Sequence, residues 1–198
     1  MTQAAAAAFL MLVLLFGGPW VTVQSTGAPE PQPARTAQEQ TDAPGADESS
    51  VLRVWNGTET VEMTMAAYLP GVVRGEMPAA YHLEALKAQA VAERTYIYYH
   101  LQRGGKANHP DADVCMDHTC CNAWTGAEQA AQKWGEQAEA YEAKIQEAVR
   151  ATDGQVMLYN GQLILAAFHS SSDGVTASCR DVWVQDLPYL ASVASPES

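Results

Sequence analysis

Apolar and polar positions alternate or recur with a helical period through most of the chain after residue 50. Val51–Trp55 and Thr58–Glu62 flank Asn56-Gly57. Asn-Gly suits a two-residue type I′ turn, whose central residues both need positive φ, so this stretch predicts a β-hairpin. A short helix is expected next, opening near Thr64, perturbed by Pro70 and ended by Pro78; proline lacks an amide donor and restricts the residue before it. Leu83, Leu86, Ala90, Ile97 and Leu101 then trace an apolar stripe. That stripe predicts a longer helix from Leu83 to Gln102, with Glu84, Lys87, Gln89 and Glu93 largely off it. Gly104-Gly105 stops it. Thr125-Gly126-Ala127-Glu128 reads as a capping box, and the helix it opens runs to about Ala151. Trp134, Ala138, Tyr141, Ile145 and Val149 share one face of that helix. A second hairpin is predicted from Gln155–Tyr159, Asn160-Gly161 and Gln162–Phe168. Hairpins packed with two or three helices make an α+β domain.

The pattern is different upstream. Ala4 to Phe16 is apolar and uncharged, Gly17-Gly18-Pro19 interrupts it, and Trp20–Val23 follows. The stretch reaches the roughly 20 residues that span a bilayer. It lacks the basic start of a secretory signal. Residues 1–23 therefore read as a membrane anchor, with a cleaved signal or a buried helix as alternatives. Residues 24–50 are rich in Pro, Ala, Thr, Gln, Asp and Glu without apolar period. Such a segment cannot bury enough surface to offset its ordering entropy, so it reads as a disordered linker. The folded domain is expected over 51–198.

Composition narrows the function. The chain has 198 residues, with 23 Asp plus Glu against 11 Lys plus Arg, a formal net charge of −12. Gripping a phosphate backbone needs clustered Lys and Arg, so nucleic acid is not an expected partner.

Three features carry candidate chemistry. Glu76 sits among Val72, Val73, Met77 and Pro78. A carboxyl among apolar neighbours holds its proton to higher pH and can act as a general acid; a glutamate at a helix end also reads as an exposed side chain. The second feature is His109, Cys115, His118, Cys120 and Cys121. Thiolate and imidazole are the usual zinc ligands, while an exported chain can instead pair its cysteines as disulfides, with Cys179 as a further partner. The third is His169-Ser170-Ser171-Ser172-Asp173-Gly174, a polar loop past a predicted strand. It reads as a ligand contact or as a solvated turn.

Together these stretches resemble the stage II sporulation protein D family of cell-wall lytic transglycosylases. The matching segments are Tyr68 to Pro78, Glu84 to Tyr96, His109 to Cys115, Phe168 to Gly174, and Asp181-Val182-Trp183 with Leu187-Pro188-Tyr189-Leu190. The resemblance implies that Glu76 is the catalytic acid for cleaving the β-1,4 bond between N-acetylmuramic acid and N-acetylglucosamine. It implies a zinc ion held by Cys115 and Cys121 with help from His109 or Cys120. It makes His169, Ser170, Ser171 and Ser172 a glycan-binding loop. Peptidoglycan glycan strands, the membrane, a wall amidase and other membrane proteins are the implied partners, and the domain is expected outside the cytoplasm, membrane-anchored or secreted. Family members continue beyond Tyr189–Val193, so a domain truncated at its C-terminus is expected, with exposed apolar surface near Trp183 and Tyr189. A wall-glycan binding module without activity is the competing reading. So is an envelope scaffold that uses the helix face around Trp134 and Tyr141.

Overall fold

The computed structural model describes residues 45–105, 108–183 and 185–195. The proposed anchor and most of the proposed linker fall outside them. Among the described residues no helix is long and apolar enough to cross a membrane.

β1 (Val51–Trp55) and β2 (Thr60–Thr64) pair antiparallel, with Leu52 opposite Met63 and Val54 opposite Val61. Leu52 and Val54 are fully buried, while Val51 and Arg53 are exposed, so the two-residue period decides which face meets the core. The turn differs from the expected one. Trp55 pairs with Thr60, which leaves four residues in the loop. The Asn56 carboxamide oxygen accepts the amides of Thr58 and Glu59 at 2.9 and 3.0 Å, and only Gly57 takes positive φ. Asn56 thus closes the loop with its side chain instead of its backbone. A two-residue strand, β3 (Val114–Cys115), runs parallel along the other edge of β1. Those residues carry no strand period in the sequence.

A single helical turn, α1 (Ala46–Ser49), precedes β1, and α2 (Met65–Glu76) follows β2 directly. The Thr64 hydroxyl accepts the Ala67 amide at 3.2 Å and caps it. Pro70 lies inside the helix, yet the helix continues, because Leu69 through Val73 are all buried and packing outweighs the lost bond. α3 (Leu83–Leu101) packs against both α2 and the helix that ends at Ala151. The expected third helix is broken: α4 (Ala127–Trp134) and α5 (Ala138–Ala151) are separated by a 3₁₀ turn that starts at Gly135, φ 54°. Gly126, not Thr125, is the cap residue of α4. Thr125 is engaged elsewhere, donating its amide to the Gly71 carbonyl and accepting from Arg74. Trp134 and Tyr141 stack edge to face at 5.7 Å and lean on the core, so that face is largely spent within the domain. β4 (Leu158–Tyr159) and β5 (Gln162–Leu163) form the second hairpin, and both Asn160 and Gly161 have positive φ, as a type I′ turn requires.

The linker boundary needs correction. Residues 46–49 form a helical turn, α1 (Ala46–Ser49), and Asp47 is buried. Its carboxylate grips the Arg94 guanidinium at 2.8 and 2.6 Å, and Asp153 accepts the amides of Ala46 and Asp47. The neighbouring Thr95 hydroxyl accepts the Met157 amide. Arg94 and Thr95, two residues of a segment that carries the resemblance, therefore tie both flanking segments to α3.

After β5 the chain is irregular apart from α6 (Cys179–Val182) and a bridge between Val175 and Ala194. The predicted strand to Phe168 ends at Leu163. Trp183 is 45% exposed. The Tyr189 ring lies 5.4 Å from Tyr159 and its hydroxyl accepts the Leu165 amide. The fold class is α+β.

Candidate functional site

Glu76 is the last residue of α2, and its Oε1 accepts the Ala123 amide at 2.6 Å. The loop that brings Ala123 there lies directly on the helix. The Trp124 indole donates to the Tyr68 carbonyl at 3.1 Å and the Thr125 amide to the Gly71 carbonyl at 2.9 Å. Gly71 and Gly75 make this approach feasible. A Cβ on Gly71 would meet the Trp124 ring, and one on Gly75 the Ala123 carbonyl, both well inside 3.0 Å. Arg74 locks the far side, bidentate to Glu142 at 2.8 and 2.7 Å with a further bond to the Thr125 carbonyl. That hydrogen bond from Arg74 holds the Glu142 carboxyl below the ordinary range. Gly75→Ala is therefore expected to destabilise. Helix propensity favours alanine by about 1 kcal/mol, but displacing a backbone segment costs about 1–3 kcal/mol. A thermal melt of the variant against the wild type measures the balance, and a lower midpoint is expected.

A second carboxyl stands beside the first. Glu93 is fully buried on α3; Gln89 donates to its Oε1 at 2.7 Å and the Asn122 amide group donates to its Oε2. Burial pushes its pKa up to about 7, the two hydrogen bonds oppose this, and the negative charge of Glu76 adds to it. The sequence places Gln89 and Glu93 largely off the apolar stripe. In the structure both are buried, because α3 is covered from more than one side. The signal was present in the spacing: Glu93 stands three residues after Ala90 and four before Ile97, on the same helical face.

Glu93 gives stability a pH dependence of definite sign. Its folded value lies above the ordinary 4.5. The folded state then holds a proton that the unfolded chain has released, so stability falls as pH rises through this window and levels off above about 7. The contribution is on the order of 3 kcal/mol. Melting temperatures on either side of the window are expected to differ less in Glu93→Gln than in the wild type.

The cysteine-rich loop gathers donors. Ligand atoms of His109, Cys115 and Cys120 lie within 4.8 Å of one another. β3 fixes Cys115 by pairing it with Trp55, and the Trp55 ring stacks on His109 at 5.5 Å. The Asp117 carbonyl accepts the amides of Cys120 and Cys121 and closes the turn. Cys121, also in the expected ligand set, lies beside these three, its sulfur accepting the Cys115 amide at 3.3 Å. His118 is outside the set, with 78% of its side chain exposed. Burial pushes the Cys115 and Cys121 thiols up, and all four cysteines are unbridged. Tetrahedral zinc with bonds of about 2.0–2.3 Å needs donors about 3.5–3.8 Å apart. Two sulfurs and an imidazole inside 4.8 Å of one another have the donor chemistry that zinc prefers.

The serine loop lies elsewhere in the chain's architecture. His169, Ser171 and Ser172 line a cavity of about 560 Å³ together with Trp183, Tyr189 and Cys179. Ser170 is exposed and does not line it, and neither Glu76 nor the donor set does. The Ser172 hydroxyl donates to the Ser195 carbonyl at 3.3 Å.

Comparison with known proteins follows the same residues. A family model described as SpoIID, stage II sporulation protein, matches residues 56–159, which contain Glu76, Glu93 and the cysteine loop but not the serine loop. Stage II sporulation protein D of Bacillus subtilis is 37% identical over 129 residues, which cover 65% of this chain and 38% of that protein. An amidase enhancer of the same organism is 38% identical over 122 residues, 62% of this chain and 14% of its own length. An uncharacterized protein of Brachyspira hyodysenteriae is 32% identical over 132 residues, 67% of this chain and 32% of that protein. The matched stretch thus spans little more than a third of these relatives at most. With more than half of its residues inside the family model and its two-helix site within that match, the chain belongs to the SpoIID family of stage II sporulation proteins.

Proposed function

We propose that the chain is a peptidoglycan lytic transglycosylase that acts in sporulation or wall remodelling, with Glu76 as its acid and base. The observation that carries the reading is the Glu76 carboxylate, fixed by the Ala123 amide at 2.6 Å within a family match that contains it. In this mechanism the carboxyl donates a proton to the departing glycosidic oxygen. The resulting carboxylate then takes the proton from the 6-hydroxyl of the muramoyl sugar, whose oxygen attacks the anomeric carbon and closes a 1,6-anhydro ring. Ordinary glycosidases require a second carboxylate as nucleophile or to activate water. Here the substrate supplies the nucleophile, so one positioned carboxyl serves both steps. Digestion of peptide-free glycan strands in oxygen-labelled water tests this. Ring closure leaves the product unlabelled, whereas hydrolysis introduces the label.

His109, Cys115 and Cys120 would hold zinc, which would clamp the loop that also carries Asn122 and Ala123. Elemental analysis is expected to find about one zinc per chain, with loss of the metal in Cys115→Ser. His169 and Ser170–Ser172 are proposed to contact the glycan. The apolar stretch before residue 24 is proposed to anchor the domain at the outer face of the membrane. The relative named as an amidase enhancer supports a wall amidase as partner.

A further inference from the structure

Consecutive residues of the cysteine loop hold the two carboxyls. The side-chain amide of Asn122 donates to Glu93 Oε2, and the backbone amide of Ala123 donates to Glu76 Oε1 at 2.6 Å. Glu93 is anchored in turn by Gln89, one turn earlier on α3, at 2.7 Å. We propose that Glu93 is a positioning residue for Glu76: through Asn122 it fixes the loop whose next amide orients the Glu76 carboxylate.

The surroundings suit this role. Glu93 is fully buried in the middle of α3, a rigid element, whereas Asn122 and Ala123 belong to a loop without regular structure. A loop amide can orient a carboxylate only if its own position is determined, and the side chains on either side of Ala123 determine it. Trp124 reaches the Tyr68 carbonyl on α2, and Asn122 reaches Glu93 on α3. Cys121, Cys115, Glu93 and Tyr96 of α3 all act electrostatically on Tyr68 of α2, and the negative charge of Glu76 acts on Glu93. A buried carboxyl is costly to maintain, and two side-chain amides offset that cost. A role in aligning the site accounts for such a group where an alanine or leucine would pack the helix more simply.

The role of Glu76 in this inference rests on the transglycosylase reading, so the test has one arm that does not. Hydrogen exchange of the Ala123 amide reports the brace directly. Asn122→Ala cuts the brace from the loop side and leaves the helix core intact. It is expected to speed Ala123 exchange about tenfold or more, and to lower kcat by about ten- to a hundredfold with KM little changed. Glu93→Ala should do the same, and the double variant should lose no more than either alone. Glu93→Gln keeps both contacts once the Gln89 amide turns over, so it should recover most of the turnover lost in Glu93→Ala. Should Glu93→Ala fail to fold, Asn122→Ala and Glu93→Gln still carry the comparison. Wild-type Ala123 exchange in Asn122→Ala would overturn the brace. If the wild-type chain forms no anhydro product but Ala123 exchange responds as stated, the brace stands and the transglycosylase reading fails.

Discussion

Glu76→Gln is expected to abolish release of anhydro-ended glycan while the fold and glycan binding persist. Glutamine is nearly isosteric, and its carbonyl oxygen can still accept the Ala123 amide that Glu76 accepts at 2.6 Å. What it cannot do is donate and recover a proton. General acid–base catalysis contributes about 10²–10⁴-fold. Because one carboxyl serves both protonation of the leaving group and activation of the 6-hydroxyl, the loss should lie near 10⁴-fold, at the upper end of that range. Product release by the variant on peptide-free strands, alongside its melting curve and its binding to the same strands, measures this. Release at the wild-type rate would remove Glu76 from the mechanism.

The largest effect on stability is expected far from that carboxyl. Asp47 pairs with Arg94, whose side chain is 0% exposed, and the guanidinium also donates to the carbonyls of Ala90, Gln155 and Val149. Asp47→Ala would leave a buried cation without its counter-charge. Breaking such a pair from one side costs about 3–5 kcal/mol, a large share of the 5–15 kcal/mol or so that a domain possesses. For a chain of this size the melting temperature should fall by roughly 10 °C. Arg94→Met with Asp47→Ala removes both charges and should recover part of the loss. An Asp47→Ala midpoint within a degree or two of the wild type (roughly the shift of a neutral surface change) would show that the pair is solvated and that α1 is not docked as described.

Elements whose cause is local were legible in the sequence. α2 and α3 begin and end close to their expected bounds, because Thr64, the apolar stripe and Gly104-Gly105 act within a turn or two of the backbone. Asn160-Gly161 forms its type I′ turn for the same reason. Asn56-Gly57 has the same two letters, but the longer β1–β2 register leaves Asn56 to act through its side chain. What remained hidden depends on partners distant in the chain. β3 is two residues that pair with β1 across some 60 positions, too short to show a period. Asp47 reads as a solvated charge until Arg94 is found beside it. At the site, the apolar neighbours of Glu76 left a general acid and an exposed helix end equally readable, whereas Glu93, set off the apolar stripe, is fully buried. The donors were legible in residue type, but spacing cannot tell that His109, Cys115 and Cys120 come within 4.8 Å of one another while the Cys121 sulfur accepts the Cys115 amide. The glycines at 71 and 75 stood in the matching motif, yet their purpose appears only with the loop laid against them.

Mass spectrometry of the products released from peptide-free glycan strands by the full chain bears most directly on the central claim. The mechanism built on Glu76 predicts fragments ending in a 1,6-anhydro-muramoyl sugar, formed by the wild type and absent with Glu76→Gln. Fragments heavier by one water, with a free reducing muramoyl end, would mean that water and not the substrate's own hydroxyl is the nucleophile. Strands bound but left intact by the wild type would contradict the catalytic assignment altogether.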